Sequence, residues 1–305
     1  MSKTAPRITK AVIPCGGLGT RFLPVTKAVP KEILPVIDTP VLGYIVSEAI
    51  DSGITDILIV LGKGKDAIRA YFTPDKDLEN SLRGAGRAEY ADMLAKIAQG
   101  ARIGFAVQEA PLGSGDAILY AEEFVAGEPF ALAWGDDLIY AQTPVMSQLI
   151  AAYEKCGANI LGVQAIVTDD IVKYGVADVS APQSLSAPIQ SRLYPCRGIV
   201  EKPPLDKLPS RFAALGRYIL TPEIFDVIRK TAAGKGGELL LTDSLNLLAQ
   251  NGRVCAYDFI GKRYDMGDKF GSVLAIVDYA ARDQAFGARF SAFLKDYVKE
   301  MTQKG

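Results

Sequence analysis

The residues able to do chemistry sit in short groups flanked by glycine or proline: Arg21 and Lys31 behind a glycine-rich turn, Asp136 and Asp137 after Gly135, Glu201 and Lys202 before Pro203, and Asp265 two positions before Gly267. The chain contains no histidine. That removes the commonest general base, the Ser-His and Cys-His nucleophile pairs, and imidazole metal sites. The four cysteines, Cys15, Cys156, Cys196 and Cys255, stand singly, without the paired spacing of a zinc or redox motif. Carboxylates, Lys, Arg and backbone amides remain. That set suits phosphoryl transfer, in which positioning and charge neutralisation supply most of the catalysis.

The strongest local signal is Pro14-Cys15-Gly16-Gly17-Leu18-Gly19-Thr20-Arg21. Glycines at 16, 17 and 19 admit positive φ and close backbone approach, so successive amides can turn onto phosphate oxygens. Spacing excludes two other phosphate loops. The dinucleotide fingerprint needs Gly or Ala where Phe22 stands, and the P-loop needs a closing Gly-Lys-Ser/Thr that Gly19-Thr20-Arg21 and Gly62-Lys63-Gly64-Lys65 both lack. Arg21 and Lys31 then flank a proline-stiffened segment, a bidentate group and a point charge suited to clamping a triphosphate.

Asp136 and Asp137 end a strand-like run, where two hard oxygen ligands could hold Mg²⁺ against phosphates; a polar strand end would carry the same residues. Asp265 follows the strand-like residues 254–260 and could bring a distant carboxylate to the same ion. Glu201 can accept hydrogen bonds from two sugar hydroxyls, and Lys202 can neutralise a sugar phosphate, although an isolated Glu-Lys-Pro is ordinarily a surface turn. Gln108 closes a strand with an amide offering both donor and acceptor, as reading a pyrimidine edge requires.

The elements that must position these groups follow from periodicity. Residues 10–14, 56–61, 102–108 and 130–134 read as strands and 41–52 and 115–124 as helices, the alternation of βαβ units. Residues 159–167 read as a further strand and 181–188 as a proline-punctuated loop. The expected fold class is α/β, a Rossmann-like open mixed sheet flanked by helices, with ligands at the carboxyl ends of its strands. Residues 1–269 form the expected catalytic domain, with 75–100 as a helical insertion. Residues 270–305 are C-terminal helices whose apolar stripe, Phe270, Leu274, Val277, Phe290, Phe293 and Leu294, either packs on that domain or forms a subunit interface. The 34 Lys and Arg nearly balance 35 Asp and Glu, with pI about 5.7, so no basic field exists to hold nucleic acid. No apolar run suggests a signal peptide or membrane span, and a cytoplasmic, unexported protein is expected.

Together these groups resemble the bacterial UTP-glucose-1-phosphate uridylyltransferases, within the sugar nucleotidyltransferases, over residues 10–298. Nine stretches occur in order: Gly17-Leu18-Gly19-Thr20-Arg21, Pro30-Lys31-Glu32, Gly113-Ser114-Gly115, Gly135-Asp136-Asp137, Tyr174-Gly175-Val176, Val200-Glu201-Lys202-Pro203, Gly216-Arg217-Tyr218, Leu241-Thr242-Asp243 and Asp265-Met266-Gly267. The resemblance implies the nucleotide-diphospho-sugar transferase type of fold, Mg²⁺ as cofactor, and UTP and glucose 1-phosphate as substrates. It implies Arg21, Lys31 and Lys202 as catalytic residues. Gly16, Gly17, Gly19, Gln108, Gly113 and Asp137 would contact the nucleotide, Gly175, Glu201 and Lys202 the sugar phosphate, and Asp136 and Asp265 the metal. A homodimer or homotetramer is implied as well. The same groups would also serve dTTP, another sugar 1-phosphate, or a catalytically weak regulatory homologue. Two positions depart from the pattern: Asp116 stands where many members carry His, and Leu240 where Gln usually precedes Leu-Thr-Asp. Asp116 reads as a first-turn acid favoured by the helix dipole, and it also places negative charge near the nucleotide pocket.

Overall fold

The computed structural model describes residues 6–179 and 192–304. The loop expected at 181–188 lies outside the described residues. The chain opens with β1 (Lys10–Cys15), the short ribbon β2 (Pro35–Val36) and β3 (Thr39–Pro40), helix α1 (Val41–Asp51) and β4 (Asp56–Gly62). Helices α2 (Asp66–Phe72), α3 (Lys76–Gly84) and α4 (Ala88–Ala95) lead to β5 (Arg102–Gln108). Then come α5 (Ser114–Leu119), α6 (Glu122–Val125), β6 (Phe130–Ala133), β7 (Asp137–Tyr140), α7 (Val145–Cys156), β8 (Asn159–Ala165) and β9 (Gly175–Val179). The remainder is β10 (Leu193–Glu201), β11 (Phe212–Leu220), α8 (Glu223–Lys230), α9 (Leu241–Gln250), β12 (Val254–Asp258), β13 (Lys262–Asp265), α10 (Lys269–Arg282) and α11 (Gly287–Lys304).

Nine strands make one mixed sheet in the order β5-β4-β1-β6-β11-β8-β12-β10-β9. Strands β5, β4, β1 and β6 run parallel, whereas β11 is antiparallel to both β6 and β8. Residues in the parallel half are apolar on both faces because helices cover both. Ala11, Ile13, Cys15, Ile57 and Ile59 point into the core shared with α1 and α7, while Val12, Leu58 and Val60 point into the core shared with α5 and α8. Each fully buried Ile or Leu side chain contributes about 1.5–3 kcal/mol relative to exposure.

The consequence for function lies at one edge. The carboxyl ends of β1, β4, β5 and β6 deliver Gly16, Gly62, Gln108 and Trp134 to the same side of the sheet. They approach closely: a Cβ on Gly62 would lie 2.9 Å from the Gly16 carbonyl oxygen, so only glycine fits there. Beneath this edge, the fully buried Arg217 guanidinium on β11 makes a multidentate pair with Glu48 of α1 (2.7 Å from Nη2 to Oε2), tying the sheet to its covering helix.

Several elements differ from their expected form. Residues 115–124 split into α5 and α6, and the 75–100 insertion is two helices in contact, α3 and α4, rather than one helix. The chain also leaves the sheet after Ala133, so Asp137 starts a separate two-stranded ribbon with β13 in which Asp137 pairs with Asp265. The C-terminal stripe packs only in part, with Val277, Phe290 and Leu294 half-buried. Helix α10 meets β13 and β2 through small Ala275 and Ala280 together with Tyr279, which leaves Phe270 and Phe293 68% and 59% exposed. Asp268 caps α10, its side chain accepting from the Phe270 and Gly271 amides of the first turn, and Asp283 accepts from the Ala285 and Phe286 amides in the turn that leads into α11.

Candidate active site

The glycine loop leaves β1 at Cys15. Of its three glycines only Gly19 uses positive φ, at 67°. Space is tight at Gly16 and ordinary at Gly17. A Cβ on Gly16 would meet Gln108 Oε1 at 2.7 Å, and one on Gly17 would come 3.4 Å from Lys31 Nζ. The proline-punctuated segment that follows folds into short 3₁₀ turns, one of which, Lys31–Ile33, presents Lys31 inward and buries Glu32. The Lys31 ammonium lies against the Asp136 carboxylate. Burial works against that ammonium, but the adjacent Asp136 more than offsets it and the Lys31 pKa is raised. Glu32 anchors the turn from behind, accepting from buried Lys65 at 2.6 Å. Its Oε2 is buried without a partner among the described residues, and burial raises its pKa despite Lys65.

Asp136 and Asp265 come from segments far apart in sequence, joined by the β7–β13 ribbon. Gly267 measures how tightly they converge. A Cβ there would lie 3.0 Å from Asp265 Oδ1, 3.1 Å from Asp136 Oδ2 and 3.2 Å from Arg21 Nη1. Arg21 is held by donating to the Gly267 carbonyl at 2.9 Å, and Asp265 accepts from Tyr174 Oη at 3.0 Å and the Gly267 amide at 2.9 Å. Among the described residues no three His, Cys, Asp or Glu side chains form a metal cage. Two carboxylates reaching one point, with room for phosphate and water oxygens, is nevertheless the donor set that Mg²⁺ takes at a nucleotide.

Asp137 behaves differently from its neighbour. Expected as a nucleotide contact, it turns its buried carboxylate to Arg263 instead. Burial raises its pKa, Arg263 opposes this, and the like charges of Asp136 and Asp265 add to the rise. Arg263 in turn lies over the Tyr174 ring, 4.6 Å from its centroid. This Asp137–Arg263 pair forms part of the wall of the site beside Asp136 and Asp265.

Three adjoining cavities contain every candidate residue, and Asp136 lines all three. The first, about 440 Å³, is bordered by Gly16, Gly17, Lys31, Gln108 and Gly113. The second, about 300 Å³, is bordered by Arg21, Asp137, Gly175, Glu201, Lys202 and Asp265. A third, about 170 Å³, runs between Gly17, Gly19, Arg21, Lys31 and Gly267. Glu201 ends β10 opposite Gly175, with Thr242 Oγ1 donating to it at 2.7 Å. Lys202 follows at φ 45°, a conformation uncommon for a side-chain-bearing residue and concentrated at functional sites. Its amide donates to the Tyr174 carbonyl at 3.1 Å, while its ammonium is largely exposed and 3.4 Å from Glu201.

Sequence reasoning missed Arg263, Tyr174 and Thr242 as members of the site. Arg263 was legible in principle, because a strand residue two before Asp265 shares its face. Tyr174 and Thr242 lay inside quoted stretches but had no assigned contact. Trp134, edge-on to Tyr218 at 5.8 Å and donating to its hydroxyl at 3.2 Å, borders both large cavities.

The chain belongs to the nucleotidyl transferase family, whose sequence profile matches residues 10–281. More particularly, it is 41% identical over 294 residues (96% of this chain, 98% of the other) to a UTP-glucose-1-phosphate uridylyltransferase of Bacillus subtilis, and 43% identical over 289 residues (95% and 98%) to one from Staphylococcus epidermidis. Among solved structures it resembles a UDP-glucose pyrophosphorylase complexed with UDP-glucose, with TM-score 0.79, 34% identity and coverage of 90% of this chain and 100% of that one. It also resembles the UTP-bound UGPase from Acinetobacter baumannii, with TM-score 0.85, 32% identity and coverage of 94% and 98%.

Proposed function

We propose that the chain transfers a uridylyl group from UTP to glucose 1-phosphate, giving UDP-glucose and pyrophosphate. The observation that carries this is the shared Asp136: a nucleotide-sized cavity and a polar second cavity meet at one carboxylate, with Lys31, Arg21 and Lys202 around the junction. The uracil lies over Gly16 and Gln108, with Gly113 beside it, and the triphosphate runs along Gly17, Gly19, Arg21 and Lys31. The sugar phosphate enters beside Gly175, with Glu201 accepting from its hydroxyls and Lys202 neutralising its phosphate. A phosphate oxygen of the sugar attacks the α-phosphorus, the new P–O bond forms in line with the breaking bond to the β-phosphate oxygen, and pyrophosphate departs. The attacking oxygen is already anionic, so no general base is needed, in keeping with a chain without histidine. Asp136 and Asp265 would hold Mg²⁺, which supplies charge neutralisation at the phosphates.

The same reading extends to assembly and location. Phe270, Val273, Leu274, Phe293 and Tyr297 of α10 and α11 are exposed and apolar, a surface suited to a second copy in a homodimer or within a homotetramer. Cys15, Cys156, Cys196 and Cys255 are free thiols, as a cytoplasmic protein would keep them. Among the described residues no helix is long and apolar enough to cross a membrane.

Initial rates of pyrophosphate release across UTP, dTTP, CTP and ATP, each with glucose, galactose and N-acetylglucosamine 1-phosphate, test the assignment. UTP with glucose 1-phosphate is expected to give the highest kcat/KM. A higher value for another pair would reassign the substrates, and no release with any pair would refute the reaction.

A further inference from the structure

The departure at Asp116 has a place in the structure that the helix dipole alone does not explain. Gln108 is buried, 5% exposed, at the floor of the larger cavity. Its Nε2 donates to the Asp116 carboxylate at 2.7 Å and to the Gly113 carbonyl at 3.2 Å. Both partners are acceptors only. Turning the amide over would set Oε1 against two oxygens and leave a buried N–H₂ without those partners, so this orientation is the one the chemistry allows. Oε1 is thereby fixed on the cavity side, directly above Gly16, where a single added carbon would touch it.

We infer that Asp116 is a specificity-determining positioning residue: by engaging both the donor side and the orientation of the Gln108 amide, it makes Gln108 a hydrogen-bond acceptor toward the base. The inference rests on the reading of this cavity as the base site. An acceptor at that position pairs with a pyrimidine whose ring N3 carries hydrogen, as in uracil or thymine. Cytosine presents a lone pair at N3, and two lone pairs facing one another in a buried site are rejected strongly. Without Asp116 only the longer contact to the Gly113 carbonyl, at 3.2 Å, opposes turning the amide over. The carboxylate therefore removes a choice that glutamine alone leaves open, while itself contacting no substrate.

The test compares kcat and KM for UTP and CTP, with saturating glucose 1-phosphate, in the native enzyme and in Asp116→Asn, Asp116→Ala and Gln108→Ala. Asparagine keeps the volume but offers Gln108 either a donor or an acceptor, so that only the longer Gly113 contact still opposes rotation of the amide. Asp116→Asn is expected to narrow the UTP-over-CTP ratio of kcat/KM roughly tenfold or more, chiefly through KM, with kcat for UTP within about twofold of native; Asp116→Ala should move in the same direction. A general structural defect would lower both nucleotides equally and leave the ratio unmoved. If Asp116→Asn keeps the native ratio while Gln108→Ala collapses it, the proposed role of Asp116 is wrong and the base site stands. If Gln108→Ala also keeps it, the base site itself has been misplaced and both readings fall.

Discussion

Lys202→Ala is expected to lower kcat about 10²–10³-fold, the scale seen when one preorganised charge facing a reacting anion is removed. The variant should bind UTP with near-native affinity, since Lys202 borders the second cavity and not the first. Three features make this a clean substitution. The ammonium is 64% exposed, so no core is opened. Its main-chain amide, which holds the strand end to Tyr174, is retained in alanine. Its only ion-pair partner among the described residues, Glu201, keeps the Thr242 hydrogen bond. Steady-state kinetics with equilibrium binding of UTP checks it; Lys202→Arg should recover part of the loss. Native turnover in Lys202→Ala would remove the residue from the mechanism.

Asp136→Asn should cost about 10²-fold or more in kcat at any magnesium concentration, because one of two hard ligands is lost where phosphate charge must be neutralised. The substitution keeps size and shape, so the fold should survive, as a thermal melt would show. It also removes the anion that raises the Lys31 pKa, leaving burial, which lowers it, less opposed. Turnover in the variant should therefore fall away at a lower alkaline pH than in the native enzyme. A magnesium titration crossed with a pH series separates the two effects. Unchanged metal dependence would exclude Asp136 as a ligand.

Much of this was readable from residue types because the parallel strands are short and apolar, with β1, β4 and β6 buried on both faces. β5 matches its expected bounds, and β1, β4 and α1 match within one residue at their ends. Breaks inside elements were not readable. Nothing in the apolar pattern of 130–137 shows that the chain abandons the sheet after Ala133, since the cause is the β7–β13 ribbon, a pairing between residues more than a hundred positions apart. The same long-range pairing explains Asp137. Adjacent aspartates look equivalent in sequence, but Asp136 sits in the turn before the ribbon and lies against Lys31, whereas Asp137 is the first ribbon residue and pairs with Arg263. Helix periodicity likewise marked the C-terminal apolar stripe without telling which face would meet the domain. The small residues Ala275 and Ala280 allow the close approach and leave the large ones outside.

The central claim is that two polyanions meet at Asp136, each held by its own cavity. A crystal structure with UDP-glucose and Mg²⁺ tests it most directly. The uracil should lie against Gly16 and Gln108 Oε1, the glucose hydroxyls against Glu201, and the diphosphate beside Lys202 with the metal between Asp136 and Asp265. A product whose sugar lies away from Glu201, or whose diphosphate does not approach Asp136, would contradict the account.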